Sequence, residues 1–229
     1  MRTHTAADAA TLEDDRCAVP PVPAGIEWLR CTVARFSSGV DHERRRATAV
    51  ELLAKVPPGD LRANAAARPH TPPVELLAEA LGITGVRAAT VSAIAAAYHP
   101  HTAHDSVTLS AADRAVARLV ACCGGTADER TAAVIGLLVQ ACDATAALVE
   151  SVMDAVRHDG NRVPDAVVAE VLRRDPPVRS TRRIAPGGVR LEVDLAAAGL
   201  PFGAGLHRCP GQEHAVAVAA GVAEGVSFR

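Results

Sequence analysis

Residues 128–158 are the longest stretch of this chain without a helix breaker: they hold no proline, a single Gly136, and otherwise a run rich in alanine, leucine and valine. The pattern predicts one continuous helix. Its apolar residues fall on nearly every side, so other helices have to enclose it. A mainly α fold around one central helix follows, and the flanking segments supply the wrapping. Helical patterning sets in at Ile26. Asp41 is placed as an N-cap ahead of an apolar face of Val50, Leu52, Leu53 and Val56, which Pro57-Pro58-Gly59 closes. Further helices are expected over 73–83, over 86–98, from Ser110 to about Cys123, over 164–174 and over 211–221. The breaks fall at His99-Pro100, Gly124-Gly125 and Asp175-Pro176-Pro177. Only 178–195, around Gly187-Gly188, reads as strand. Residues 1–24, with Pro20, Pro21 and Pro23, read as a flexible leader, and 25–229 as a single helical domain.

The core of such a domain is built from small side chains. Aromatic residues make up 2% of the chain, with Trp28 and Tyr98 each the sole example of its type. A large prosthetic group would help by supplying the bulky apolar volume that aromatic side chains usually provide. The net charge is −2 and no basic block with interleaved aromatics occurs, which disfavours nucleic acid as a partner. Cys17, Cys31, Cys122, Cys123, Cys142 and Cys209 follow no secreted disulfide spacing, and adjacent Cys122 and Cys123 are poorly placed for an ordinary disulfide. The first residues lack the apolar core of a signal peptide. No apolar stretch is expected to reach the roughly eighteen residues of a membrane span. A reducing, cytoplasmic setting without a membrane partner is the expectation.

Chemistry concentrates near the C-terminus, where residues 202–211 read Phe-Gly-Ala-Gly-Leu-His-Arg-Cys-Pro-Gly. Gly203 and Gly205 let the backbone turn tightly and approach a flat ligand, and Gly211 does the same beyond the cysteine. A loop that opens a helix offers N–H donors and positive potential, which keep a thiolate ionised, and His207 and Arg208 add polar or positive neighbours. Cys209 is therefore suited to bind a metal through sulfur. The plain alternative is a buried structural cysteine beside a glycine turn. Three upstream segments stand in a suggestive order: Asp41-His42-Glu-Arg-Arg-Arg46, Gln140-Ala-Cys-Asp-Ala-Thr145, and Glu170-Val-Leu-Arg173 followed by Pro176-Pro177-Val178.

Taken together, these segments resemble the cytochrome P450 family, as a strongly shortened bacterial-type member. The resemblance implies the compact helical core of that fold, with little β-sheet, and haem b bound through the Cys209 thiolate. It implies that Phe202 and Gly203 belong to the ligand loop, and that His42, Arg46, Arg183 and His207 hold the haem propionates. Glu170 and Arg173 would form a structural ion pair beneath the haem, while Arg44 and Arg45 would be a solvated basic face. The segment ending at Thr145 matches the family's oxygen-binding stretch, of the form Ala/Gly-Gly-x-Asp/Glu-Thr-Thr/Ser. Here Ala141 replaces the usual glycine and Ala144 the usual first threonine. Proton delivery would then fall to Asp143 or Thr145 through a water, unless Asp143 is a buried acid paired with an arginine.

The activity implied is that of a haem-thiolate monooxygenase or peroxygenase oxidising a small organic substrate in specialised metabolism, fed by a ferredoxin-type electron donor or by peroxide. The alternatives are a haem-binding protein with a non-redox catalytic role in rearrangement or cyclisation, a haem-binding partner that stabilises another enzyme, and a degenerate fragment. About eighteen residues separate Arg183 from Phe202, and about twenty follow Cys209, fewer than the family's remaining sheet and closing strands need. An open distal side, or one closed by a second copy in a homodimer, is expected. His99, His101 and His104 form a histidine-rich loop, expected to lie over the distal face rather than to bind a metal.

Overall fold

A computed structural model describes residues 23–100, 102–158, 163–184 and 189–227, with the side chains of Arg183, Ile184, Arg190 and Ser227 outside the description. The expected leader therefore lies almost wholly outside the described residues, as do His101 and the Gly187-Gly188 turn.

The described elements are helices α1 (Gly25–Thr32), α2 (Gly39–Ala54), α3 (Pro58–Ala67), α4 (Pro73–Ala80), α5 (Ala88–Ala95), α6 (Ser106–Cys122), α7 (Glu129–His158) and α8 (Pro164–Arg174). The antiparallel strands β1 (Ser180–Ile184) and β2 (Arg190–Asp194) follow, and then α9 (Gln212–Ser227). Two short 3-10 turns, Ala34–Phe36 and Gly205–His207, precede α2 and α9.

The central helix is as the sequence predicts. Asp128 caps it, accepting the Thr131 N–H at 2.8 Å, and its first half is buried without interruption from Thr131 to Val139. The α7 helix packs against α1, α2, α4, α5, α6, α8 and α9. Contrary to the expectation from sequence, it holds an apolar window long enough to cross a bilayer; 61% of that window is buried inside the protein, as befits a core helix. A larger core joins the first half of α7 to α1 through α6. A second cluster, centred on Leu148, Val152, Val167, Val168, Ala219 and Ala223, joins its second half to α8 and α9.

Several boundaries depart from the pattern reading. Beyond the end of α2 at Ala54, Pro58 also starts a helix, because a proline in the first turn has no N–H bond to lose. The α6 helix begins one turn earlier than Ser110, since the Asp105 carboxylate accepts the Thr108 N–H at 2.7 Å. Ser38, not Asp41, occupies the N-cap position of α2; Asp41 sits in the first turn and pairs with Arg44 at 2.6 Å. Finally, α9 continues past Gly221, because its glycines face α3. Added Cβ atoms would lie 2.3 Å from the Arg62 carbonyl oxygen at Gly221 and 2.1 Å from the Ala66 carbonyl oxygen at Gly225.

An ion cluster ties this corner together. Arg62 on α3 grips Asp165 on α8 with two bonds of 2.9 and 2.7 Å, and donates to Glu224 on α9 at 3.0 and 2.5 Å. The guanidinium holds the Asp165 carboxyl below its ordinary 3.8. That stabilisation is present above the ordinary value and fades as pH falls through the lowered one. Arg62→Met should therefore cost about 1 kcal/mol near neutral pH, a figure limited by solvent screening of these part-exposed groups. The gap between variant and parent should narrow in thermal melts below pH 3.8.

Candidate functional site

The Cys209 loop runs from β2 into α9, and its backbone explains its composition. Gly203 and Gly205 adopt φ of +68° and +67°, in the left-handed region that side chains disfavour, although a Cβ added at either would meet no heavy atom within 4 Å. The loop closes through the Cys209 N–H, which donates to the Phe202 carbonyl at 2.9 Å. The Gly211 N–H and the positive charges of Arg46, Arg35 and Arg208 favour the ionised form of the Cys209 sulfur. Burial outweighs these and raises the thiol above its ordinary value. A metal that accepts the sulfur lone pair would displace the proton and turn the same surroundings into support for a thiolate.

Two of the sequence-predicted residues meet across this site. The His42 ring, 3% exposed on α2, lies 4.0 Å from the ring of His207 in the loop, centroid to centroid. Arg46 stands one turn beyond His42 on the same helix. Arg183 is described only through its backbone, as the β1 partner of Leu191; its side chain lies outside the described residues.

Other assignments change. On α8, Glu170 pairs with Arg174 at 3.1 Å, one residue beyond the Arg173 of the Glu-x-x-Arg motif. A spacing of four brings two long side chains together on a helix face at least as readily as a spacing of three. Arg44 and Arg45 are not a free basic face. Both pair with Glu129 at the start of α7, Arg45 at 3.1 Å, and they lash α2 to the central helix. Asp143 is exposed rather than a buried acid, whereas Thr145 is buried at 7%. Two positions apart on a helix, they occupy different sides, so the structure does not bring them together.

Two positions escape a reading of the sequence alone. Arg35 reaches the field of Cys209 from a 3-10 turn, seven residues ahead of His42, a separation that no continuous helix bridges. His214 on α9 bonds through Nε2 with the carbonyls of Leu53 (3.2 Å) and Val56 (2.8 Å), fastening the helix after the loop to the end of α2. Elsewhere, His104 Nε2 contacts the His99 carbonyl at 3.1 Å, and no group of three or more metal-binding side chains occurs among the described residues. An open cleft of about 300 Å³ between α7 and α8 has Glu170 in its lining but no residue of the Cys209 loop.

No family model and no curated protein matches this sequence. Its structure is nevertheless similar to that of P450BioI in complex with an acyl carrier protein ligated with hexadec-9Z-enoic acid, with a TM-score of 0.59 and 17% identity over 95% of this chain and 81% of that one. It is also similar to CalO2, with a TM-score of 0.56 and 17% identity over 94% of this chain and 80% of the other. The chain has a cytochrome P450-like fold, mainly helical with two short strands.

Proposed function

We propose that this protein is a haem-thiolate oxidoreductase that acts on a small organic molecule, with Cys209 as the iron ligand. The surroundings of the sulfur support this reading. A part-buried thiol whose ionised form is favoured by the Gly211 N–H and by three arginine charges suits the donor set a haem needs, one sulfur for the iron and cations for its two carboxylates. Arg46 and the paired rings of His42 and His207 would hold the carboxylate edge, with Arg183 a further candidate. Phe202 and Gly203 would shape the loop beneath.

When bound, the haem supplies redox chemistry at iron, and thiolate donation favours O–O cleavage. The protein's own contribution is to shield the sulfur in part from water, fix its direction through the Cys209–Phe202 backbone bond, and offer a hydroxyl or carboxyl for proton transfer. Thr145 is the candidate hydroxyl on the buried side of α7, and Asp143 the candidate carboxyl on its exposed side. Electrons would come from a ferredoxin-type donor, or peroxide would replace both electrons and dioxygen.

The split of Asp143 from Thr145, with Ala144 between them, favours a second reading: a haem-binding protein of this fold with a non-redox or partner-stabilising role. The purified chain, reduced under carbon monoxide, should show a thiolate-type Soret band. No copurified haem and no such band would refute both readings. Haem binding without turnover by either peroxide or a ferredoxin system would favour the second.

A further inference from the structure

The hairpin of β1 and β2 has one apolar face that its own fold leaves partly uncovered. Leu191 and Val193 alternate onto that face, opposite Arg183 and Thr181 of β1, and Val189 and Leu195 continue the alternation at either end. Leu195 is buried at 6%, whereas Val193, Leu191 and Val189 are 37%, 46% and 58% exposed. A two-stranded sheet is marginal by itself, and no third strand joins this one among the described residues.

The backbone marks which part of the β2 edge is open to a partner. The Leu195 N–H donates to the Arg179 carbonyl at 2.8 Å, and hydrogen-bonded pairs alternate along an antiparallel ladder. Leu191 and Val193 therefore bond to β1, while residues 190, 192 and 194 turn their N–H and C=O groups to the outer edge. At 194 the turn that follows β2 folds back on this edge: the Ala198 N–H meets the Asp194 carbonyl at 3.2 Å, and the Ala197 N–H meets its carboxylate at 2.9 Å. We infer that the open edge of β2 pairs antiparallel with β2 of a second copy of this chain, about a two-fold axis at Leu191. In that register Leu191 meets Leu191 and Val189 meets Val193 of the second copy on one apolar face, and Glu192 stands opposite Arg190. An axis at Glu192 would set two glutamates opposite each other and call on the occupied edge at 194. Charged residues that deter indiscriminate edge pairing thus match in one register. The pairing does not depend on what Cys209 binds.

The test uses the full-length chain in sedimentation equilibrium, where the parent should show a monomer–dimer equilibrium in the micromolar range, as suits a small interface. Glu192→Pro removes the N–H turned to the edge and spares the bonds that Leu191 and Val193 make to β1. Lost in both copies, that donor should raise the dissociation constant about tenfold or more. Leu191→Cys sets two thiols across the axis at a non-hydrogen-bonded pair, where Cα atoms about 4.5 Å apart are within reach of a disulfide. Oxidation with diamide should then give a covalent dimer on a non-reducing gel well above the parent's level, and Thr181→Cys, on the same face of β1, should give none beyond it. A parent that stays monomeric at every concentration, or a Leu191→Cys chain that crosslinks no more than Thr181→Cys, would overturn the pairing. Stronger crosslinking by Glu192→Cys than by Leu191→Cys would overturn the register.

Discussion

Alanine at Gly225, and to a similar degree at Gly221, should lower stability by about 3 kcal/mol or more, which at this chain length moves the thermal midpoint down by about 6–12 °C. The obstacle is backbone. The new methyl at 225 would sit 2.1 Å from the Ala66 carbonyl oxygen and 2.9 Å from its carbon; that at 221 would meet the Arg62 carbonyl oxygen at 2.3 Å and the Ala65 Cβ at 3.0 Å. No rotamer change relieves such contacts, so α9 and α3 must separate. Separation would strain the Arg62–Glu224 bonds and, through α9, disturb the anchoring of the helix that follows Cys209. Loss of bound haem should accompany the lower midpoint. Gly59→Ala is the control within the same helix pair. Its Cβ would meet nothing within 4 Å and its φ is not positive, so it should be neutral or stabilise by up to about 1 kcal/mol. Equal melting of all three variants would show that close α3–α9 packing does not set stability.

Those glycines also show which parts of the fold the sequence could not reveal. The central helix announces itself because apolar residues recur over thirty positions without a breaker, and the Cys209 loop because its backbone demands glycine at 203 and 205. Both are local requirements that leave local marks. The α3 helix leaves none: Pro57-Pro58 reads as a stop, and Asp60, Arg62, Asn64 and the alanines carry no apolar period. It exists as a helix because α9 offers a glycine face against which it can lie, and that partner is some 160 residues away. The role of Arg44 and Arg45 is hidden for the same reason, since Glu129 lies 85 and 84 residues downstream. Within the proposed site, the sequence singles out Cys209, His42, Arg46 and His207 by residue type and spacing. Arg35 leaves no such mark, because a lone arginine on a 3-10 turn carries no local pattern, and only the fold brings its charge into the field of Cys209.

Replacing Cys209 with serine should abolish the thiolate-type Soret band of the reduced carbon monoxide complex while leaving the helical content unchanged. Serine keeps the shape and the N–H bond to Phe202, but its hydroxyl is a far weaker donor to iron and stays protonated in a desolvated position. The matched control is Cys142→Ser. Cys142 is buried, at 6%, where Cys209 is only part-buried, and it lies on the very segment of α7 that resembles an oxygen-binding stretch, so burial and motif alone would make it a rival. Its sulfur, however, is held 3.4 Å from Ser92 Oγ and has no guanidinium among its electrostatic neighbours, whereas Cys209 has three. A sulfur without nearby cations gains nothing that would steady a metal-bound thiolate beside two carboxylates. The band should therefore survive in Cys142→Ser and vanish in Cys209→Ser. The reverse pattern would move the iron ligand onto the central helix and remove the reason for the arginines around the loop.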